Sequence, residues 1–381
     1  MKYDCIVVGA GLAGITTTRD LQKFGKSVLL IESSDQVGGR VRSDKIDKYI
    51  CDRGFQVINP KYPQVAKSKV LKSLDFRKIS GQIRVDDLDI KVGFAIGSFS
   101  SKVSGFGEKL NFISFLTNPK VSNEKKFTDY VVKFPKFYKN VLEPFLTGVF
   151  LTNPCEIAAD VAQEILKSLV RSLPGVPANG VGEFSKALAK PIQNLILNET
   201  VESISPGKVG TNKAQYKAKY IIVATDPIST RNLTKLTQPV HMLSSTTTYF
   251  STADNLVDSK NLVISKSSKL VNSIVINKVS ENYAPSEKSF ISATSLNKLS
   301  EIEFKSELSK IWRTNANKWE SVARYEIKNS LPLHPPHKRK TSTFQINDWL
   351  FVVGDHMATP SQQGAMQTGA LVAKKINLLM Q

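Results

Sequence analysis

The sequence predicts an α/β protein: a discontinuous dinucleotide-binding domain, joined to a second domain of antiparallel sheet plus helical cap. Three observations predict it. An apolar strand runs directly into Gly9-Ala10-Gly11-Leu12-Ala13-Gly14, and Glu32 closes the strand that follows. Helical periodicity takes over across residues 106–170 and then gives way to short, alternating strand runs. At the far end, a second apolar strand stops at Gly354-Asp355 ahead of a helix rich in small residues.

The N-terminal unit is the most specific. Residues 3–8 read as a strand, 12–24 as a helix ended by Gly25, and 27–31 as the next strand. In such a βαβ turn the first glycine permits the tight bend and the second lets backbone approach a pyrophosphate. The third, Gly14, lets helix and strand pack closely. Glu32 is placed to accept hydrogen bonds from a ribose diol. Its loop continues through Gly38-Gly39-Arg40, where two glycines allow close backbone approach and Arg40 offers a guanidinium to a phosphate oxygen.

Composition narrows the classes. A chain of 381 residues with 41% apolar residues exceeds one ordinary domain and can build a sizeable core. Cys5, Cys51 and Cys155 are widely spaced with no C-x-x-C, which fits a reducing compartment and excludes a disulfide framework; no metal site is expected. His334 and His337 are separated by two prolines that forbid the helix needed to align them. The strand starts within three residues of Met1, and no run reaches about eighteen apolar residues. The expectation is a cytoplasmic protein, at most peripheral at a membrane. The net charge of +19 is spread along the chain without a nucleic-acid-binding signature, so no nucleic acid is expected. The basic, aromatic stretch from Lys125 to Lys139 is the candidate for contact with an anionic bilayer.

Further elements follow in order. Cys51 to Val57 reads as a short strand with a turn, and residues 81–92 as an antiparallel pair. The helical region is broken at Pro119, Pro135, Pro144 and Pro154. Within it Ile157, Val161, Ile165, Leu166, Leu169 and Val170 share one apolar face. Leu173 to Gly182 is a glycine-punctuated crossing, followed by a helix over 183–189, strands over 195–197 and 201–204, and a buried parallel strand over 219–225. Strands over 247–250, 262–264 and 271–276 suggest the antiparallel sheet, and a helix covers 300–311. Pro332, Pro335 and Pro336 with Lys338-Arg339-Lys340 form a connection to the last strand, 349–353, and a helix from about Ser361. The expected division is 1–75, 175–240 and 335–381 for the dinucleotide domain. Residues 76–174 and 241–334 form the substrate domain, with the cap at about 106–170.

Taken together, the glycine turn, Glu32, Gly38-Gly39-Arg40, Tyr220-Ile221-Ile222-Val223-Ala224-Thr225 and Gly354-Asp355 resemble the flavin-dependent amine oxidase superfamily. Within it they resemble the branch of protoporphyrinogen oxidases and phytoene desaturase-like oxidoreductases. Leu142 to Phe150 is similar to the P-F-x-x-G-V-[FY] run of the former, and Arg53-Gly54-Phe55-Gln56-Val57 to the latter. The resemblance implies a Rossmann-type FAD-binding domain. Gly9, Gly11, Leu12, Ala13, Gly14, Glu32, Gly38, Gly39 and Arg40 would hold the adenosine and pyrophosphate. Gly354, Asp355, Gly364 and Ala365 would face the flavin, the closing helix aiming its N-terminal dipole at the ring. No cysteine lies near the C-terminus, so the FAD is expected to be non-covalent.

Asp52, Arg53, Gln56 and His356 are the weak candidates for catalytic groups. The implied reaction is oxidation or desaturation of a small apolar substrate (a polyene, isoprenoid or tetrapyrrole) by hydride transfer to flavin N5. No second G-x-G-x-x-G is present, so oxygen, a quinone or a carrier would take the electrons. The alternatives are a flavin amine oxidase, a reduced-flavin isomerase of the carotenoid type, and a non-enzymatic basic scaffold binding lipid or nucleic acid.

Overall fold

A computed structural model of the chain describes residues 2–93, 103–235, 239–256, 261–338, 340 and 344–381; Arg339 of the basic connection lies outside them. The first strand, Lys2–Val8, carries Cys5, Ile6 and Val7 fully buried and sits at the centre of a seven-stranded sheet. It pairs in parallel with Val28–Ile31 on one side and with Gln215–Val223 on the other, which in turn pairs in parallel with Leu350–Val352. The chain's two ends and its middle thus meet in one sheet. Where they are buried on both faces, Cys5 to Val8, Val28–Ile31, Tyr220 to Val223 and Leu350–Val352 are continuous apolar runs, whereas the first half of Gln215–Val223 alternates.

Helix Leu12–Lys23 crosses one face and packs on the closing helix Gln362–Leu379. Close approach explains the small residues: a Cβ on Gly369 would collide with the Ala13 carbonyl oxygen. The second sheet runs in the order Glu320–Pro332, Met242–Thr252, Ser289–Ser295, Leu270–Val275, Leu262–Ile264, Gln82–Val85, Ile90–Gly93. It is antiparallel apart from the pairing of Leu262–Ile264 with Gln82–Val85. The crossing at Leu173 to Gly182 is more than a linker, because Gly175–Pro177 pairs with Phe76–Lys78 and is buried.

The helical cap holds Phe106–Thr117, Glu143–Phe150 and Ala159–Arg171. The apolar face of the last contains Val161, Ile165 and Leu166 as expected, but Val170 is exposed because the helix ends one residue later. In the Lys125–Lys139 stretch, Phe127 and Phe134 are fully buried and pack with Phe115. The lysines, not these rings, face outward. Among the described residues, no helix is long and apolar enough to cross a membrane.

Candidate functional site

A cavity of about 1230 Å³ lies where the parallel sheet, the second sheet and the cap meet. Its dinucleotide side begins at Gly9, whose φ of +98° is a conformation open to glycine, and continues along the start of helix Leu12–Lys23. No side chain caps that helix at Gly11, so its first-turn amides remain available to an anion. A Cβ built on Gly11 would find nothing within 4 Å, although the residue lines the cavity. The protein leaves that space open at the point where a side chain would fill it.

Glu32 is buried beside this turn. Its carboxylate accepts hydrogen bonds from the Ala10 N–H at 2.7 Å and from the Ser34 N–H and hydroxyl at 2.9 and 2.7 Å. These bonds fix the acid's orientation: Oε1 is taken up by Ser34, while Oε2, with the Ala10 N–H alone, keeps acceptor capacity for a further donor such as a ribose hydroxyl. Arg40 donates to Asp355 Oδ1 at 2.6 Å and to the Ser330 carbonyl at 3.0 Å, tying the first glycine-rich loop to the last. Burial pulls the Arg40 pKa down, but the charge and hydrogen bond of Asp355, with Asp226 behind, raise it overall. Gly354, Asp355, Ser361, Gln362 and Ala365 extend the lining from the C-terminal segment. Ser361 caps the closing helix through the Gly364 N–H at 3.0 Å.

Of the residues expected to face a cofactor, Gly9, Gly11, Leu12, Ala13, Glu32, Gly38, Gly39, Arg40, Gly354, Asp355 and Ala365 line this cavity. Gly14 and Gly364 do not. A Cβ at Gly14 would collide with the Gly9 carbonyl and one at Gly364 with the Thr359 carbonyl, so both serve packing behind the lining.

Among the weak catalytic candidates, Arg53 and Gln56 line the cavity, while Asp52 and His356 do not. Arg53 is held by Asp44 at 2.8 Å, and Gln56 donates to the Arg40 carbonyl at 2.6 Å. Asp52 is a buried junction. It accepts from Ser43, Tyr283 and the Val181 N–H, and its own carbonyl accepts from Tyr249. Burial pushes its carboxyl up to about 6 against those three hydrogen bonds. His356 lies under Gly354, buried with neither ring nitrogen partnered, and burial lowers it to about 4. Both lie behind the residues that line the cavity.

Sequence reasoning missed part of the lining. Glu199 to Glu202 and Ala224 to Asp226 follow or precede strands of the parallel sheet, so their signal was the position of those strand ends. Tyr325 to Leu331 comes from the long strand Glu320–Pro332, and Asn272 from Leu270–Val275, with two strands between them in the same sheet. On the cap side the wall is apolar: Phe145, Val149, Ile165, Leu169 and Leu173, opposed by Leu262, Ile264 and Val271. Asn272 interrupts it, 7% exposed and with no partner for Oδ1.

Comparison with known proteins agrees with this geometry. Residues 7–73 match the NAD(P)-binding Rossmann-like domain family. Over 55 residues the chain is 46% identical to lysine-specific histone demethylase 1B of Mus musculus, covering 14% of this chain and 7% of that protein. A probable flavin-containing monoamine oxidase A of Dictyostelium discoideum is 24% identical over 267 residues, 59% of this chain and 58% of the relative. The matches thus span well under two thirds of these relatives' lengths. The solved structure of putrescine oxidase bound to putrescine superposes with a TM-score of 0.77 at 15% identity, covering 99% of both chains. The chain thus shares the fold of this oxidase structure along its whole length, with a Rossmann-like domain at its start.

Proposed function

We propose that the chain is an FAD-dependent oxidoreductase that oxidises or desaturates an apolar substrate. Cofactor identity rests on fit. An uncapped helix N-terminus, the open space at Gly11, a fixed acid at the second strand end and Arg40 at the next loop form one continuous surface suited to ribose, pyrophosphate and an isoalloxazine beyond them. When bound, FAD supplies the electron sink for a hydride from substrate.

The chain's own residues do the rest. The amides at Leu12 and Ala13 would meet phosphate charge, Glu32 would orient the ribose, and Asp355 holds the Arg40 guanidinium along the lining. The cap side chains exclude water from the substrate space and hold an apolar molecule by burial.

The observation that carries the substrate reading is the charge of the cavity wall opposite the dinucleotide side. Its charged residues, among those described, are Arg53, Arg324, Glu326 and Lys328, and Glu326 is paired with Arg324 at 2.9 Å. Among the described residues of that wall a protonated amine meets no unpaired carboxylate, whereas a neutral or acidic apolar molecule fits. Amine oxidation is the second reading, favoured by the monoamine and putrescine oxidases among the similar proteins. Anaerobic bleaching of the flavin separates them: a polyene or tetrapyrrole substrate should reduce it and putrescine should not. Bleaching by simple amines alone would reverse the assignment.

A further inference from the structure

Helix Phe106–Thr117 is amphipathic with part of its apolar surface turned outward. Phe115 is buried on the inner side, and the Phe115 carbonyl accepts from Gln163 Nε2 at 2.6 Å, strapping the helix to Ala159–Arg171. On the outer side Phe106, Leu110 and Ile113, spaced i, i+4, i+7, are 70%, 50% and 45% exposed. Val132, 71% exposed, lies on the adjoining segment, which Asn111 Nδ2 ties to the helix by donating to the Lys133 carbonyl at 2.8 Å. Three large apolar side chains on one helix face, with a fourth on the segment packed against that helix, are more than scattered surface residues.

The exposed charge near this face is mostly positive. Lys133, Lys136 and Lys139 are exposed on the adjoining segment, whose Phe134 and Phe137 pack on Phe112 of the helix. The single acid of the helix, Glu108, is withdrawn, accepting the Phe137 N–H at 2.8 Å. Asp129 is also engaged, accepting the Lys126 N–H at 3.0 Å. An apolar stripe bordered by lysines, on a chain of net charge +19, complements an anionic interface whose interior is hydrocarbon.

We propose that this face docks the protein on an anionic lipid bilayer, with Phe106, Leu110, Ile113 and Val132 entering the headgroup boundary and the three lysines resting on lipid phosphates. The helix beneath, Ala159–Arg171, supplies Ile165 and Leu169 to the cavity wall, so docking brings the cap of the cavity to the membrane surface. The docking itself does not depend on the proposed reaction.

The test is co-sedimentation of the full-length protein, loaded with FAD where it takes it up, with phosphatidylcholine vesicles containing or lacking phosphatidylglycerol. The wild type should pellet with the anionic vesicles and release at high salt. Combined Phe106→Ser, Leu110→Ser and Ile113→Ser should weaken binding at least ~10-fold. Combined Lys133→Glu, Lys136→Glu and Lys139→Glu should weaken it roughly 100-fold. Both variants should keep the wild-type Tm, which separates lost docking from lost folding. Failure of the wild type to bind anionic vesicles overturns the proposal. So does a wild-type dimer that the serine variant turns into a monomer, since a second copy would then cover the face.

Discussion

Arg40 and Asp355 stand 2.6 Å apart although 315 residues separate them in the chain. Asp355 is nearly buried and Arg40 about one-third exposed, so the pair closes the site where the N-terminal and C-terminal segments meet. Removing one partner strands the other. Asp355→Ala should cost roughly 1–3 kcal/mol, below the range for a fully buried pair because Arg40 retains some water. It should also weaken FAD retention by about 10-fold or more, with Asp355→Asn intermediate. Thermal unfolding with and without added FAD measures both effects, and an unchanged cofactor affinity in Asp355→Ala would remove the pair from the binding account.

Gly11 and Gly14 should fail in different ways. A side chain at Gly11 meets no protein atom within 4 Å, so Gly11→Val should fold with a near-wild-type circular dichroism spectrum and lose FAD. At Gly14 the first side-chain carbon strikes the Gly9 backbone, so Gly14→Val should be insoluble or unfolded. A Gly11→Val protein with full flavin content would contradict the phosphate assignment.

Three buried groups make stability depend on pH in opposite senses. Burial raises the Asp52 pKa from 3.8 to about 6, so its stabilising contribution is fully present below about 4 and is lost as pH rises through 6. Burial lowers His334 and His356 from 6.5 to about 4; the unfolded chain binds more protons between those values, and stability grows as pH rises through that window. Two histidines outweigh one carboxyl, so the wild type should lose stability from pH 6.5 towards 4. Asp52→Asn should gain on the wild type by roughly 1–3 kcal/mol as pH rises from 4 to 7. Urea unfolding at a series of pH values checks this, and a pH-independent difference between the two proteins would refute it.

Much of the dinucleotide half was legible because its information is local. The strand before Gly9, the helix after it and Glu32 lie within one continuous segment, and the closing helix begins one residue after Ser361, its cap. Strand Leu262–Ile264 was also legible as a short apolar run. By contrast, the edge strand Glu320–Pro332 was not read from the sequence, although Ala323, Tyr325 and Ile327 alternate with the exposed Arg324, Glu326 and Lys328 in a period-two signal that its charged flanks obscure. The hairpin of Ser43–Ile46 and Tyr49–Asp52 turns at Asp47 with φ of +51°, without the glycine that would announce it. In the sequence, Asp52 and His356 read both as catalytic candidates and as groups that order the structure. Only the folded chain shows one locked between Ser43, Tyr283 and Val181 and the other beneath Gly354, because those contacts are tertiary.

The most direct test of the FAD assignment is the visible absorbance of the purified protein before and after heat release of its cofactor, with FAD added back to any colourless fraction. The predicted result is a flavin spectrum that becomes that of free FAD on release, and its absence from Gly11→Val. A colourless wild type that takes up no added FAD would contradict the account.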